Sequence, residues 1–214
     1  MEQRLRITHC VESPLHYSSH LDRMHVWTRA ARRAGLPLAY SGGFHPRPRI
    51  QVAAALPVGF TARGEMLDLW LEEPMDPEVI GTKLGRTLPE GLTIISVKEA
   101  NLDEPALTTR VRSAEYTVTV EVSEPAEEIR HRSKELLAVQ SLPRQRRGRS
   151  YDLRPLIEWL EVKEEQAGEV VLEIVLAARQ GATGRPEEVL DALALSDSFF
   201  RVCRERLLLA EPLH

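Results

Sequence analysis

Glu115-Tyr116-Thr117-Val118-Thr119-Val120-Glu121-Val122 decides how this chain is divided. Tyr116, Val118, Val120 and Val122 fall on one side of an extended chain and the polar residues on the other, the period-two signature of a strand with one buried face. The run matters because an order of elements that is already complete before it begins again there. Toward the N-terminus, residues 4–11 alternate as a strand, and Leu21, Met24, Val26, Trp27, Ala30, Ala31 and Ala34 then recur at helical spacing. Ser19 is placed to cap that helix with Asp22 three residues on, and Gly35 and Pro37 supply its stop. An apolar run at 50–56, an alternating strand at 65–71, a helix opened by Asp76-Pro77 and a strand at 92–97 complete the order β-α-β-β-α-β.

Toward the C-terminus the same order returns. Residues 124–139 read as a helix, 157–164 and 169–178 as strands, 186–193 as a Pro-started helix and 199–209 as a last strand. The expected fold class is therefore α+β, a tandem pair of ferredoxin-like units with antiparallel sheets, with one continuous larger sheet as the rival arrangement. The first unit covers residues 1–100, a polar linker 101–112, and the second unit 113–214 with a basic loop at 143–154.

The 214 residues are 43% hydrophobic and 28% charged, enough apolar material for two small cores, and their net charge of -4 gives no global attraction for nucleic acid. Distribution modifies that. Residues 1–60 hold eight arginines against three acids, so a positive first half is offset by a negative remainder. Arginine suits bidentate contact with phosphate or carboxylate, although an arginine-rich coding bias gives the same composition. Cys10 and Cys203 lie far apart without metal or redox spacing and read as reduced thiols. With no apolar signal core at the start and no run of about 20 apolar residues, the expectation is a cytoplasmic protein without membrane contact.

The segment richest in unusual residue types is Ser-Gly-Gly-Phe-His-Pro-Arg-Pro-Arg at 41–49. Gly42 and Gly43 permit a turn that other residues resist, the prolines stiffen its exit, and His45, Arg47 and Arg49 are then presented from a fixed loop. Backbone N–H groups with two guanidinium groups make an anion cradle; the plainer reading is a hairpin entry that only orders the chain. Ser19 and His20 stand at the head of the first helix, where its dipole favours negative charge, although capping alone accounts for Ser19. Arg29 and Arg33 extend a basic face along that helix, which solvation also explains. Residues 143–154 carry five arginines against one aspartate: Arg144, Arg146, Arg147, Arg149 and Arg154, with Tyr151 available to stack on a base. A hydrated loop is the alternative there.

Catalytic and metal signatures are weaker. His20, His45 and Asp68 are the candidate acid–base groups; a nucleophilic set of Ser41, His45 and Asp68 can be assembled on paper, but nothing in its spacing resembles a nucleophile elbow. The histidines of the first half lack any H-E-x-x-H or carboxylate-triad pattern, and no Walker or Gly-x-Gly-x-x-Gly sequence follows the glycine pair, so neither a metal nor another cofactor is expected.

Taken together, Ser19-His20-Leu21-Asp22, Arg32-Arg33-Ala34-Gly35-Leu36-Pro37, Tyr40-Ser41-Gly42-Gly43-Phe44-His45-Pro46-Arg47-Pro48, Ala55-Leu56-Pro57-Val58-Gly59 and Glu65-Met66-Leu67-Asp68 resemble the bacterial radical-SAM-linked family of unknown function. Tyr151-Asp152-Leu153-Arg154-Pro155 and Arg185-Pro186-Glu187-Glu188-Val189-Leu190 are similar to that family's second-half signatures. His45 stands where many relatives carry Asn. The resemblance implies a radical S-adenosylmethionine protein as partner, and two distant cysteines do not make the three-cysteine cluster motif of such an enzyme. A looser likeness of fold pattern is to repeat-associated RNA-processing proteins. Three functions follow as expectations: a non-catalytic RNA-binding adaptor for that partner, an RNA-processing or RNA-modifying enzyme using the acid–base groups above, or a purely structural interaction subunit.

Overall fold

A computed structural model describes residues 2–166 and 168–210, so the end of the expected second unit, 211–214, lies outside the described residues. The chain is mixed α+β with mostly antiparallel strands, and its described residues divide into two compact units, 2–111 with 209–210 and 112–208. No helix among the described residues is long and apolar enough to cross a membrane.

In the first unit β1 (Gln3–Val11) leads to α1 (His20–Arg33), β2 (Ile50–Val52), β3 (Thr61–Leu71), α2 (Pro77–Gly85) and β4 (Leu92–Ala100). The spatial order is β2-β3-β1-β4 with each pair antiparallel. Helix α1 starts on a capping box between Ser19 and Asp22. It ends on Gly35 at φ +67°, where Gly35 N–H donates to Arg32 O and Leu36 N–H to Ala31 O, the Schellman arrangement. Its buried stripe, Trp27, Ala30 and Ala31, and α2's Ile80 and Leu84 belong to a core with Leu5, Ile7, Leu67, Leu69 and Leu71, all at most 1% exposed. The turn into β4 needs Gly91: its φ is +88° and a Cβ would stand 2.9 Å from Glu12 O.

The alternate residues of β1 and β3 make a different layer. Arg4, side chain 1% exposed, donates from Nε and Nη2 to Asp68 Oδ2 at 2.8 and 2.5 Å. Arg6 holds the same carboxylate through Nε to Oδ1 at 2.9 Å and Nη2 to Oδ2 at 3.0 Å. Arg4 also donates to the carbonyls of Asn101, Glu104 and Pro105. The segment 101–110, mostly exposed, is anchored at a few points: the short helix α3 (Leu107–Arg110) buries Leu107 completely, and Glu104 pairs with both Arg6 and Arg110.

The second unit runs β5 (Val111–Glu121), α4 (Ala126–Ala138), β6 (Pro143–Arg146), β7 (Arg149–Asp152), β8 (Ile157–Gln166), β9 (Glu169–Arg179), β10 (Ala182–Thr183), α5 (Pro186–Ala192) and β11 (Phe200–Leu209). Its order, β8-β9-β5-β11, repeats that of the first unit, with β10 also on β9. Val118, Val120, Leu172, Ile174 and Leu176 are buried with Ile129, Val189 and Leu190 from the helices. The expected basic loop is instead a hairpin. Strands β6 and β7 pair around Arg147 and Gly148, both at positive φ (50° and 76°), as a two-residue type I′ turn requires.

Truncating Asp68 leaves two guanidinium groups enclosed without their carboxylate. Asp68→Ala is therefore expected to lower unfolding stability by about 3–5 kcal/mol in urea titrations, while Glu173→Gln, at an exposed site, stays within about 0.5 kcal/mol.

Candidate binding loops and the fate of the arginines

The segment at 41–49 is a pinned protrusion. Ala39 N–H donates to Trp70 O at 2.9 Å, Trp70 N–H to Arg49 O at 3.1 Å and Arg49 N–H to Ala39 O at 2.8 Å, so both arms are tied to β3 and to each other. Above that base Ser41 N–H donates to Arg47 O at 2.8 Å, and Arg47 N–H donates back to Ser41 Oγ at 3.1 Å. Everything between is surface: Gly42, Gly43 (φ +109°), Phe44, His45, Pro46 and Arg47 are exposed, and Phe44 is 102% exposed, as open as in an extended chain. A phenyl ring held fully in water at the tip of a double-pinched loop contributes nothing to the core and suits a stacking or insertion partner.

The other residues of the expected cradle do not converge with it. Arg49 turns back to pair with Glu2, and its guanidinium lies 4.8 Å from the Trp70 ring centroid. Arg33 donates to Thr87 O at 3.0 Å. Arg29 is exposed on α1. Ser19 Oγ is absorbed by its own helix cap, taking Asp22 N–H at 3.2 Å and donating to Asp22 Oδ2 at 2.7 Å, so it offers no oxygen to a ligand. Of the guanidinium groups expected at this site in the first unit, those of Arg29 and Arg47 are the ones that no acid or carbonyl holds among the described residues, and only Arg47 of these two is on the loop.

The acid–base trio is likewise divided. Asp68 is completely buried with both oxygens held by Arg4 and Arg6, whereas His45 stands in solvent on the loop, so the carboxylate and that imidazole do not share a cleft. His20 is half-buried at the start of α1, and burial followed by the charge of Arg23 pushes its pKa below the usual value. Such a group is neutral near pH 7. Among the described residues no group of three His, Cys, Asp or Glu side chains is placed to hold a metal ion.

The basic stretch of the second unit sorts in the same way. Arg154 spans the carbonyls of Leu137 and Ile157 at 2.9–3.1 Å and is a structural clamp. Arg146 forms a bidentate pair with Glu188 (Nε to Oε1 2.9 Å), donates to Thr183 O and lies 4.8 Å over the Tyr151 ring, which takes that ring out of use as an open platform. Arg144 pairs with Asp191 at 3.3 Å. Arg147 and Arg149 remain exposed at the hairpin turn and carry no ion pair among the described residues.

Residues 4–186 match a family described as an uncharacterized protein conserved in bacteria (DUF2344). The chain belongs to that family. No curated protein matches it. Among solved structures, an H/ACA RNP bound to a substrate RNA containing 2'-deoxyuridine is similar over 93% of this chain and 47% of that one, at 10% identity and a TM-score of 0.49. A Cbf5-Nop10-Gar1 complex is similar over 92% of this chain and 55% of that one, at 10% identity and a TM-score of 0.48. This member of the family thus spans about half the length of these two structures.

Two exposed aromatic residues, Phe44 and Trp159, lie outside the candidate residues expected from the sequence. Phe44 is flagged by being the one large apolar residue among Gly, His and Pro, where no core periodicity claims it. Trp159 shares the parity of Glu161 and Lys163, while Leu160 and Val162 hold the apolar parity.

The direction of the His20 shift has a measurable consequence. Its lowered folded-state pKa contributes stability that is present above the unfolded value of 6.5 and is lost as pH falls through the folded value. An NMR titration is expected to place the His20 midpoint below 6.5; a midpoint above it contradicts the burial and Arg23 proximity described above.

Proposed function

We propose that the protein is a non-catalytic RNA-binding adaptor that serves a radical S-adenosylmethionine enzyme in RNA modification or processing. The observation that carries the RNA part is the full exposure of Phe44 beside His45 and Arg47 on a loop whose base is closed by Ser41. An aromatic face next to a guanidinium is the pairing that holds single-stranded RNA, the ring stacking on an unpaired base and the cation reaching the adjoining phosphate. Arg147 and Arg149 offer further phosphate contacts from the second unit. The ligand must be taken by such local features, because a chain of net charge -4 repels polyanions at long range.

The adaptor part rests on the sequence resemblance to radical-SAM-linked proteins. Asp68, whose oxygens are occupied by Arg4 and Arg6, is not offered as an acid–base group. The recurrence of one strand order in the two units supports the reading of each as ferredoxin-like, the pair arising as a tandem repeat.

Phe44→Ala and Arg47→Ala together are expected to cut retention of a labelled single-stranded RNA at moderate salt by about tenfold or more, stacking alone being worth about 1–3 kcal/mol per base. Each removed phosphate contact makes the plot of log affinity against log salt shallower by roughly 0.7. Arg147→Ala with Arg149→Ala lowers the slope without touching the stack. Wild-type retention by the Phe44/Arg47 variant, with an unchanged melting transition, overturns the proposal.

A further inference from the structure

The second unit carries a feature that RNA binding leaves unused. Along β8, Ile157 pairs with Leu176 on the buried face, yet Trp159, two residues on and of the same parity, pairs with Val175 on the opposite face. The register shift between Ile157 and Trp159 makes Glu158 an extra residue, and a β-bulge of this kind re-aims the side chains beyond it. The bulge is held in place: Ser113 Oγ, on a residue only 4% exposed, donates to Glu158 Oε2 at 2.6 Å. Without it Trp159 would point into the core with Ile157. With it, the indole stands 54% exposed.

The surroundings of that indole are acidic. Trp159, Val175 and Glu115 form one row across β8, β9 and β5, and Glu161, Glu173 and Thr117 form the next. Trp159, Val175, Glu115, Glu173 and Thr117 of these rows border, with Glu205, a shallow groove of about 330 Å³, and Glu161 stands beside Glu173 outside it. The cations here are already engaged: Lys163 lies 2.9 Å from Glu161 and 3.5 Å from Glu173, and Arg206 donates to Glu115 at 2.6 Å. Glu115, Glu161 and Glu173 against Lys163 and Arg206 leave these rows with an excess of one negative charge. A surface of that sign repels phosphate, so it is not a second RNA platform.

We propose that this tryptophan-centred acidic face docks a basic segment of a partner protein, an Arg or Lys side chain lying over the Trp159 ring and its neighbours meeting Glu161 and Glu173. Charge complementarity selects the partner's sign, and an exposed Trp flanked by polar side chains has the composition of an interface hot spot. The inference deepens the adaptor half of the function proposed above and gives the chain separate surfaces for RNA and for protein.

The test uses fluorescence anisotropy of the full chain with two labelled peptides of equal length, one alternating Arg and Leu, the other Glu and Leu. The wild-type chain is expected to bind the first and not the second. Trp159→Ala weakens that binding by about tenfold or more, and Glu173→Lys, a charge reversal at an exposed site chosen to leave folding intact, weakens it in the same direction. Retention of single-stranded RNA stays at the wild-type level in both variants. Unchanged peptide affinity in both variants, or equal binding of the acidic peptide, overturns the docking face. Loss of a wild-type dimer in Trp159→Ala with unchanged peptide affinity also overturns it, by assigning the face to a second copy of the chain. A wild-type protein that fails to retain RNA but shows these peptide losses removes the RNA reading and leaves the docking face standing.

Discussion

The carboxylate of Asp68, enclosed between Arg4 and Arg6, is the constraint on which the first unit turns. A buried charge is tolerated only when paired and hydrogen-bonded, so this layer accepts one alignment of β1 with β3, in which Arg6 faces Asp68 and Arg4 faces Trp70. A slip by one residue would send the arginines into the layer of Leu5, Ile7, Leu67 and Leu69 and the leucines out of it. The same alignment fixes Trp70, whose backbone hydrogen-bonds with Ala39 and Arg49 at the base of the exposed loop. The surface position of Phe44 and Arg47 is thus a consequence of an ion pair in the interior.

The two units place their exposed chemistry by one device, a turn or irregularity that the strands make unavoidable. In the first, the pinch at Ser41 and the positive φ of Gly43 project an aromatic and a cation. In the second, the type I′ turn at Arg147-Gly148 projects arginines, and the bulge at Glu158 turns Trp159 outward. Around these tips most other arginines are taken up by internal partners, as Arg146 is by Glu188 and Arg154 by Leu137 O and Ile157 O. Arginine abundance is largely architecture here, and few exposed guanidinium groups remain for the recognition proposed above.

The element order was legible because strands such as 115–122 alternate strictly and α1 announces its cap and its Schellman stop. Boundaries were less so: the apolar run at 50–56 yields only the three-residue β2, since the chain bends away after Val52. The hairpin at 143–152 was hidden because its strands are arginine-rich rather than β-branched, and its one local signal was Arg147-Gly148 at the turn. The site was half legible. Sequence marks the loop at 41–49, but whether an arginine is free depends on acids distant along the chain, Glu2 for Arg49 and Glu188 for Arg146, which no local pattern records. Asp68 looked like a reactive carboxylate for the same reason.

The most direct test of the central claim, that RNA meets the chain at the pinned loop and the hairpin tip, is photocrosslinking of a 4-thiouridine-containing single-stranded RNA followed by mass spectrometric mapping of the adducts. The account predicts adducts at Phe44 to Arg47 and around Arg147 to Arg149, with none at Trp159. Adducts concentrated on the acidic face around Trp159, or spread evenly over the surface, would contradict it.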